Sequence, residues 1–341
     1  MATQTAKKKT GNKASKPQKT RTKRQKASRP VIAVSACLAG ERVRWNGGRK
    51  LDPFIKKTLS KFFVLTTICP EVSIGLGVPR EPIRLEGTVK NSKLVGLSSP
   101  KADHTTAMGI LANDFARSHP SLHGFIFKSA SPTCGLEKVE VFPPKGGKPL
   151  LKGQGKFAAL LTRLVPMLPV IEEEALGDPL KRDHFLARVF AYHRWQSLVA
   201  EGCTQEKILA FHRRHEFSLM AHGAATMKQL GVLAANKKNL PPKKLQQTYE
   251  KGFMELMARP TTPKSHGSVM TFLAKPLLKK LSAVEARELK QRIADYQAGK
   301  TPRTVPLTLL RHHLQKHGDA DVNDQVYLEP TPAEMILRAA G

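Results

Sequence analysis

The chain has 341 residues, 40% of them hydrophobic and 25% charged, which is enough for two domains of ordinary size. Lys and Arg number 57 against 27 Asp and Glu, and the resulting +30 argues for a polyanionic partner, since every phosphate neutralised by a basic side chain releases counterions. No apolar run approaches the ~18 residues of a membrane-spanning helix, and four cysteines exclude a disulfide scaffold and read as a reducing, cytoplasmic setting.

Residues 1–29 carry 11 Lys or Arg and no acid. With so little apolar surface this basic tail is expected to be disordered. The stretch Val31 to Ala39 is short and interrupted by Ser35 and Cys37, so it reads as a first buried strand and not as a secretory signal. Residues 30–174 then alternate. Strands are expected at Val31–Ser35, 62–68, 124–127 and 168–171, and helices at 52–61, 105–117 and 156–164. That order predicts an α/β, Rossmann-like domain with a mostly parallel sheet. Glu172-Glu173-Glu174 reads as a solvated linker. Residues 175–341 predict an all-α domain, with helices at 180–200, 205–221, 223–235, 242–258, 268–280, 283–298 and 305–316.

Three cysteines share one context. Cys37 and Cys69 each follow an expected strand, and Cys134 lies just beyond a third. Groups past the carboxyl ends of parallel strands converge on one crevice, so three thiols distant in sequence can meet there. Zinc usually takes four ligands and often a close C-x2-C pair, which is missing here. An iron–sulfur cluster accepts distant thiolates, and three of them on a 4Fe–4S cluster leave one iron open. Thiol catalysis, and three small buried side chains without chemistry, are the other readings. Cys203, before a helix in the second half, has no motif around it and reads as a bland thiol.

Ser35-Ala36-Cys37-Leu38-Ala39-Gly40, Cys69-Pro70-Glu71-Val72 and Ser131-Pro132-Thr133-Cys134-Gly135 resemble the three signatures of the thiouracil desulfidase family. Asn46-Gly47-Gly48, Gly75-Leu76-Gly77 and Pro79-Arg80-Glu81-Pro82 match as well. Ala39 and Thr133 depart from the pattern, which favours a larger aliphatic residue and Ser at those two places. The helical half resembles a domain of unknown function fused to that family in tRNA 4-thiouridine desulfidases. The resemblance rests there on Phe211-His212-x-x-His215, Met220-Ala221-His222, Val305 to His313 and Gln325 to Pro330.

The resemblance implies a 4Fe–4S cluster bound by Cys37, Cys69 and Cys134, with Glu71 and Ser131 as catalytic residues. The chemistry is coherent: a thiocarbonyl sulfur is soft and suits an open iron. Glu71 would deprotonate the attacking water and return a proton as the C–S bond breaks, and Ser131 would hydrogen-bond the ring or that water. Sulfur leaves as hydrosulfide and no electron is spent, so no redox partner is expected.

Thiolated tRNA is the expected partner. Arg42, Arg44, Arg49 and Lys50 surround the first cysteine loop, and they and Arg80 are expected RNA contacts. A target base in folded tRNA must be extracted before it can react. His212, His215 and His222 can share one helical face and read as core or phosphate contacts before metal ligands. The competing functions are desulfuration of free thiouracil bases and a non-catalytic iron–sulfur RNA-binding protein. The reverse chemistry, sulfur insertion, ranks lower because the chain has no G-x-x-x-x-G-K-[ST] loop.

Overall fold

A computed structural model describes residues 29–144, 147–318 and 320–332. Residues 1–28 of the basic tail lie outside the described residues.

Four strands form the first sheet: β1 (Val31–Ser35), β2 (Val64–Ile68), β5 (Leu122–Phe127) and β8 (Val170–Glu172). Their order is β2-β1-β5-β8 and every pairing is parallel. β1 and β5 are buried on both faces, so their sequences are apolar runs without polar alternation. Ile32, Val34 and Ile126 face one side, towards a helix over 53–62 (α1) and towards Phe185, Leu186 and Val189 of α5 (Pro179–Ala200). Ala33, Phe125 and Phe127 face the other side, packed against α3 (Thr105–Ser118) and α4 (Lys156–Leu164). Phe125 and Phe127 stack with centroids 3.8 Å apart, and Phe157 meets both edge-on. Each such buried ring contributes roughly 1.5–3 kcal/mol.

Gly124 sets how close α5 can lie. A Cβ there would sit 2.8 Å from Val189 Cγ2 and 3.3 Å from Ile32 Cγ2. The first helix of the expected helical domain is therefore a layer of the α/β sandwich. One hydrophobic core runs from Phe125 and Phe127 through Trp195 of α5 to Phe211, Tyr249 and Phe253, on α6 (Gln205–Ala234) and α7 (Pro242–Ala258). It crosses the boundary expected at 174 without a break.

A second, mixed sheet was not expected. It has the order β4-β3-β6-β7, from β3 (Ile83–Gly87), β4 (Ser92–Gly96), β6 (Val139–Phe142) and β7 (Leu150–Gly153). Its strands hold four or five residues each, too short for their period-2 alternation to stand out. Leu85, Leu94, Val139 and Val141 join it to the core around α3 and α4.

In the helical half, the break expected between the helices at 205–221 and 223–235 is present: α6 is two helical segments joined across a kink at Gly223, whose backbone is non-helical. The helix expected from 268 begins earlier, as α8 (Pro263–Leu277). Thr262 and Ser265 form a capping box, and Pro263 occupies the first turn, where its missing N–H costs nothing. α8, α9 (Ala283–Gln297) and α10 (Thr304–His317) share a separate core around Met270, Leu289 and Leu310. No helix among the described residues is long and apolar enough to cross a membrane.

Candidate active site

The neighbours β2, β1 and β5 run parallel, so their carboxyl ends open side by side. Ala36 N donates to Ile68 O at 2.9 Å, and Lys128 N donates to Ser35 Oγ at 3.0 Å, which ties the three ends together. The first cysteine loop then turns sharply. Gly40 N donates to Cys37 O, and Gly40 holds a φ of +102°, where a side chain would be strained. Cys69 directly follows β2 and caps a single helical turn, α2 (Pro70–Ser73), whose second residue is Glu71.

The third loop, Ser131 to Gly135, is held by its own turn and by the start of α4. Ser131 Oγ accepts from Cys134 N at 3.1 Å and from Thr133 N at 3.3 Å. Lys156 N donates to Pro132 O at 2.9 Å, and Ala158 N donates to Thr133 O at 3.1 Å. Gly155 lies against this loop so closely that a Cβ would stand 2.5 Å from the Thr133 carbonyl carbon.

The loops enclose a cavity of about 290 Å³ lined by Cys37, Cys69, Cys134, Glu71 and Ser131. Cys203 lies elsewhere, half-buried against the helical core. Burial pushes the Cys37 thiol up to about 11, with the neighbouring Cys69 adding to the rise. Burial likewise pushes Cys134 up to about 12 and raises Cys69. Such thiols are protonated at neutral pH, which is the opposite of an activated cysteine nucleophile. A metal centre would replace those protons. Among the described residues, no three His, Cys, Asp or Glu side chains stand close enough to share a single metal ion.

Glu71 is positioned from two directions. Its Oε2 accepts from Arg80 Nε at 2.8 Å and from Arg80 Nη2 at 2.6 Å, in a pair whose side chains are 6% and 13% exposed. Its Oε1 accepts from Thr133 Oγ1 at 3.0 Å. Thr133 Oγ1 in turn lies 3.0 Å from Ser131 Oγ. With the Thr133 hydrogen committed to the carboxylate, the Ser131 hydroxyl donates to Thr133, giving a chain from Ser131 through Thr133 to Glu71. Thr133 was missed as a functional residue because it looked like a conservative departure from Ser.

Arg80 corrects an expectation. Its side chain is only 6% exposed, so it is not a surface cation. Its guanidinium is turned inward, where Nη2 also donates to Val43 O at 2.9 Å and Nη1 to Gly77 O at 3.1 Å. Arg80 therefore fixes Glu71 and braces the first cysteine loop. Arg42, Arg49 and Lys50 are exposed, and Arg44 lines the cavity.

Glu172, Glu173 and Glu174 are a second correction, because none of them serves a solvated linker. Glu172 Oε1 accepts from Leu136 N at 2.7 Å. Glu173 accepts from Ser129 N at 2.6 Å and pairs with Lys128 Nζ. Glu174 accepts from Ser129 Oγ at 2.7 Å. The acidic run clamps both ends of the segment that carries Cys134. Sequence gave no sign of this, since a charge run looks the same whether its partners are water or buried amides.

Comparison with known proteins gives the family. A family model described as 2-thiouracil desulfurase matches residues 32–173. One described as a protein of unknown function (DUF1722) matches residues 217–332. The uncharacterized protein YbbK of Bacillus subtilis (strain 168) is 30% identical over 156 residues, which cover 44% of this chain and 100% of that protein. The uncharacterized protein YbgA of Escherichia coli (strain K12) is 27% identical over 162 residues, covering 47% of this chain and 95% of its own. Among solved structures, the [4Fe-4S]-dependent thiouracil desulfidase TudS is 28% identical, covering 44% of this chain and 95% of that one, with a TM-score of 0.35. The three cysteine loops and the carboxylate between them thus stand in the region that defines the match, and the chain belongs to the 2-thiouracil desulfurase family, with a DUF1722 region in its helical half.

Proposed function

We propose that this chain converts 4-thiouridine in tRNA to uridine and releases hydrosulfide, using a 4Fe–4S cluster held by Cys37, Cys69 and Cys134. The observation that carries the reading is the cavity at the ends of β1, β2 and β5, where three thiols meet Glu71 and Ser131. The donor set fits the group. Three thiols line one cavity, and thiolates are the ligands an iron–sulfur cluster takes. When bound by three thiolates, such a cluster supplies one open iron, a Lewis acid suited to a soft thiocarbonyl sulfur.

The chain's own residues supply the rest. Glu71, held by Arg80, takes a proton from the water that attacks the ring carbon. Ser131 and Thr133, linked to that carboxylate by hydrogen bonds, give a departing or returning proton a path along the cavity lining. Trp45 stands at the cavity rim, 46% exposed, beside Arg44. An aromatic face there offers an extruded base a stacking partner worth about 1–3 kcal/mol. The exposed Arg42, Arg49 and Lys50 beside it, together with the net charge of +30, suit a polyanionic substrate.

Free thiouracil is the second reading, since a lone base fits the same cavity and is the compound named in the family's description. Competition assays on anaerobically reconstituted protein separate the two. The tRNA reading predicts a kcat/KM for thiolated tRNA at least about 100-fold above that for 4-thiouracil, the scale of about 2.7 kcal/mol of extra transition-state binding. Equal or inverted values assign the enzyme to the free base.

A further inference from the structure

The side-chain donors that line the cysteine cavity can be accounted for one by one. Lys128 Nζ donates to Ser129 O at 3.0 Å, to Ser129 Oγ at 2.7 Å and to Glu173, which spends the three hydrogens of an ammonium. The Arg80 guanidinium is committed to Glu71, Val43 O and Gly77 O. The Ser129 hydroxyl donates to Glu174 at 2.7 Å. Ser131 donates to Thr133 and Thr133 to Glu71. The Ser35 hydroxyl hydrogen-bonds Cys134. Thiols aside, two side-chain donors on the lining remain: the guanidinium of Arg44 and the indole N–H of Trp45.

Arg44 is fixed in place by its backbone. Its N donates to Gly48 O at 3.2 Å and its O accepts from Gly47 N at 2.9 Å, so it opens a closed turn with Trp45 next to it. Arg80 N donates to Trp45 O at 2.8 Å, which ties that turn to the residue holding Glu71. The Arg44 side chain is half-buried, and it is near enough to Cys37 to favour the thiolate electrostatically. Among the described residues its guanidinium has no carboxylate partner and no hydrogen bond. Arg42, Arg49 and Lys50 of the same loop are exposed instead. A half-buried guanidinium facing a cavity is costly until a ligand supplies an acceptor.

The acceptor follows from the substrate class. Desulfuration brings the thiocarbonyl carbon of a pyrimidine among the cysteines. In 4-thiouracil that carbon, C4, and the C2 carbonyl flank the same nitrogen, so the sulfur and the C2 oxygen lie along one edge of the ring. A base stacked on Trp45 meets its face, and the indole N–H then lies in a parallel plane and points past the carbonyl. We propose that Arg44 is a substrate-binding residue that donates to the C2 carbonyl oxygen of the thiolated base and so turns the C4–S bond towards the cysteines. This rests on the reading of the cysteine cavity as the place of desulfuration. The contact is with the ring, so free base and tRNA share it.

Two free bases test the contact: 4-thiouracil, and pyrimidine-4-thione, which has hydrogen in place of the C2 oxygen. The values of kcat/KM for both are measured with the anaerobically reconstituted parent and with Arg44→Met at matched iron content and thermal midpoint. Arg44→Met should lose about 10–100-fold on 4-thiouracil, the worth of one charged hydrogen bond, and little on pyrimidine-4-thione. The preference of the parent for 4-thiouracil should therefore shrink by the same factor, and intrinsic reactivity of the two bases cancels from that comparison. If Arg44→Met does not take up iron, Arg44→Lys serves in its place, because it keeps the charge and gives up the planar fork. Thiolated tRNA should lose the same factor as 4-thiouracil. Equal losses on the two bases would overturn the proposal. So would a loss confined to tRNA, which assigns Arg44 to a phosphate. A parent active on free bases alone would refute the tRNA reading, and the two bases would still decide the role of Arg44.

Discussion

Glu71→Gln is expected to lower desulfuration by roughly 10²–10⁴-fold, the usual worth of a positioned general base. The change keeps the side-chain shape and leaves the three cysteines untouched, so iron content should match the parent. Binding of thiolated tRNA should also persist, because affinity resides mainly in the phosphate backbone. Stability should fall, since the largely buried Arg80 guanidinium loses its carboxylate, a charged hydrogen-bond loss of about 1.5–3 kcal/mol. Thermal unfolding and iron analysis together separate that loss from the catalytic one. A variant that keeps its iron, melts only a few degrees lower and still turns over at near-parental rate removes Glu71 from the mechanism.

The cysteines should divide three to one. Cys37→Ala, Cys69→Ala or Cys134→Ala should each abolish cluster assembly on anaerobic reconstitution, because two thiolates cannot replace the set of three. Cys203→Ala should reconstitute like the parent, at about four iron per chain, since that thiol packs against the helical core and lies outside the cavity. Equal loss in all four variants would point to a general folding defect. Retained iron in the Cys134→Ala variant would displace the third ligand from the scheme.

Much of the site could be read from residues alone, for a physical reason. Cys37 and Cys69 follow apolar strands, and parallel neighbours bring such positions together whatever the intervening loops contain. The α/β order was legible for the same reason, as buried strands are apolar runs and α3 and α4 carry clear helical periods. What stayed hidden was pairing. Arg80 looked like one more cation among 57, and only the fold shows that it faces Glu71. Glu172, Glu173 and Glu174 looked solvated because sequence does not show that the backbone of Ser129, Leu136 and Glu137 lies opposite. The second sheet escaped because strands as short as Val139–Phe142 carry too few residues for a period to register. The helix expected from 268 starts at Pro263 instead, because proline in the first turn begins a helix as readily as it ends one.

The central claim is that sulfur leaves a tRNA base by hydrolysis at the cysteine cavity, with Glu71 managing the proton. The most direct measurement is a single anaerobic turnover of reconstituted full-length protein on tRNA carrying radiolabelled sulfur in 4-thiouridine. Nucleoside analysis then follows the base while the label is traced. The account predicts uridine in place of 4-thiouridine, label recovered as hydrosulfide from the iron-bearing protein or from solution, and no turnover by iron-free protein. Label held as a persulfide on Cys37, Cys69 or Cys134, or full turnover without iron, would contradict it.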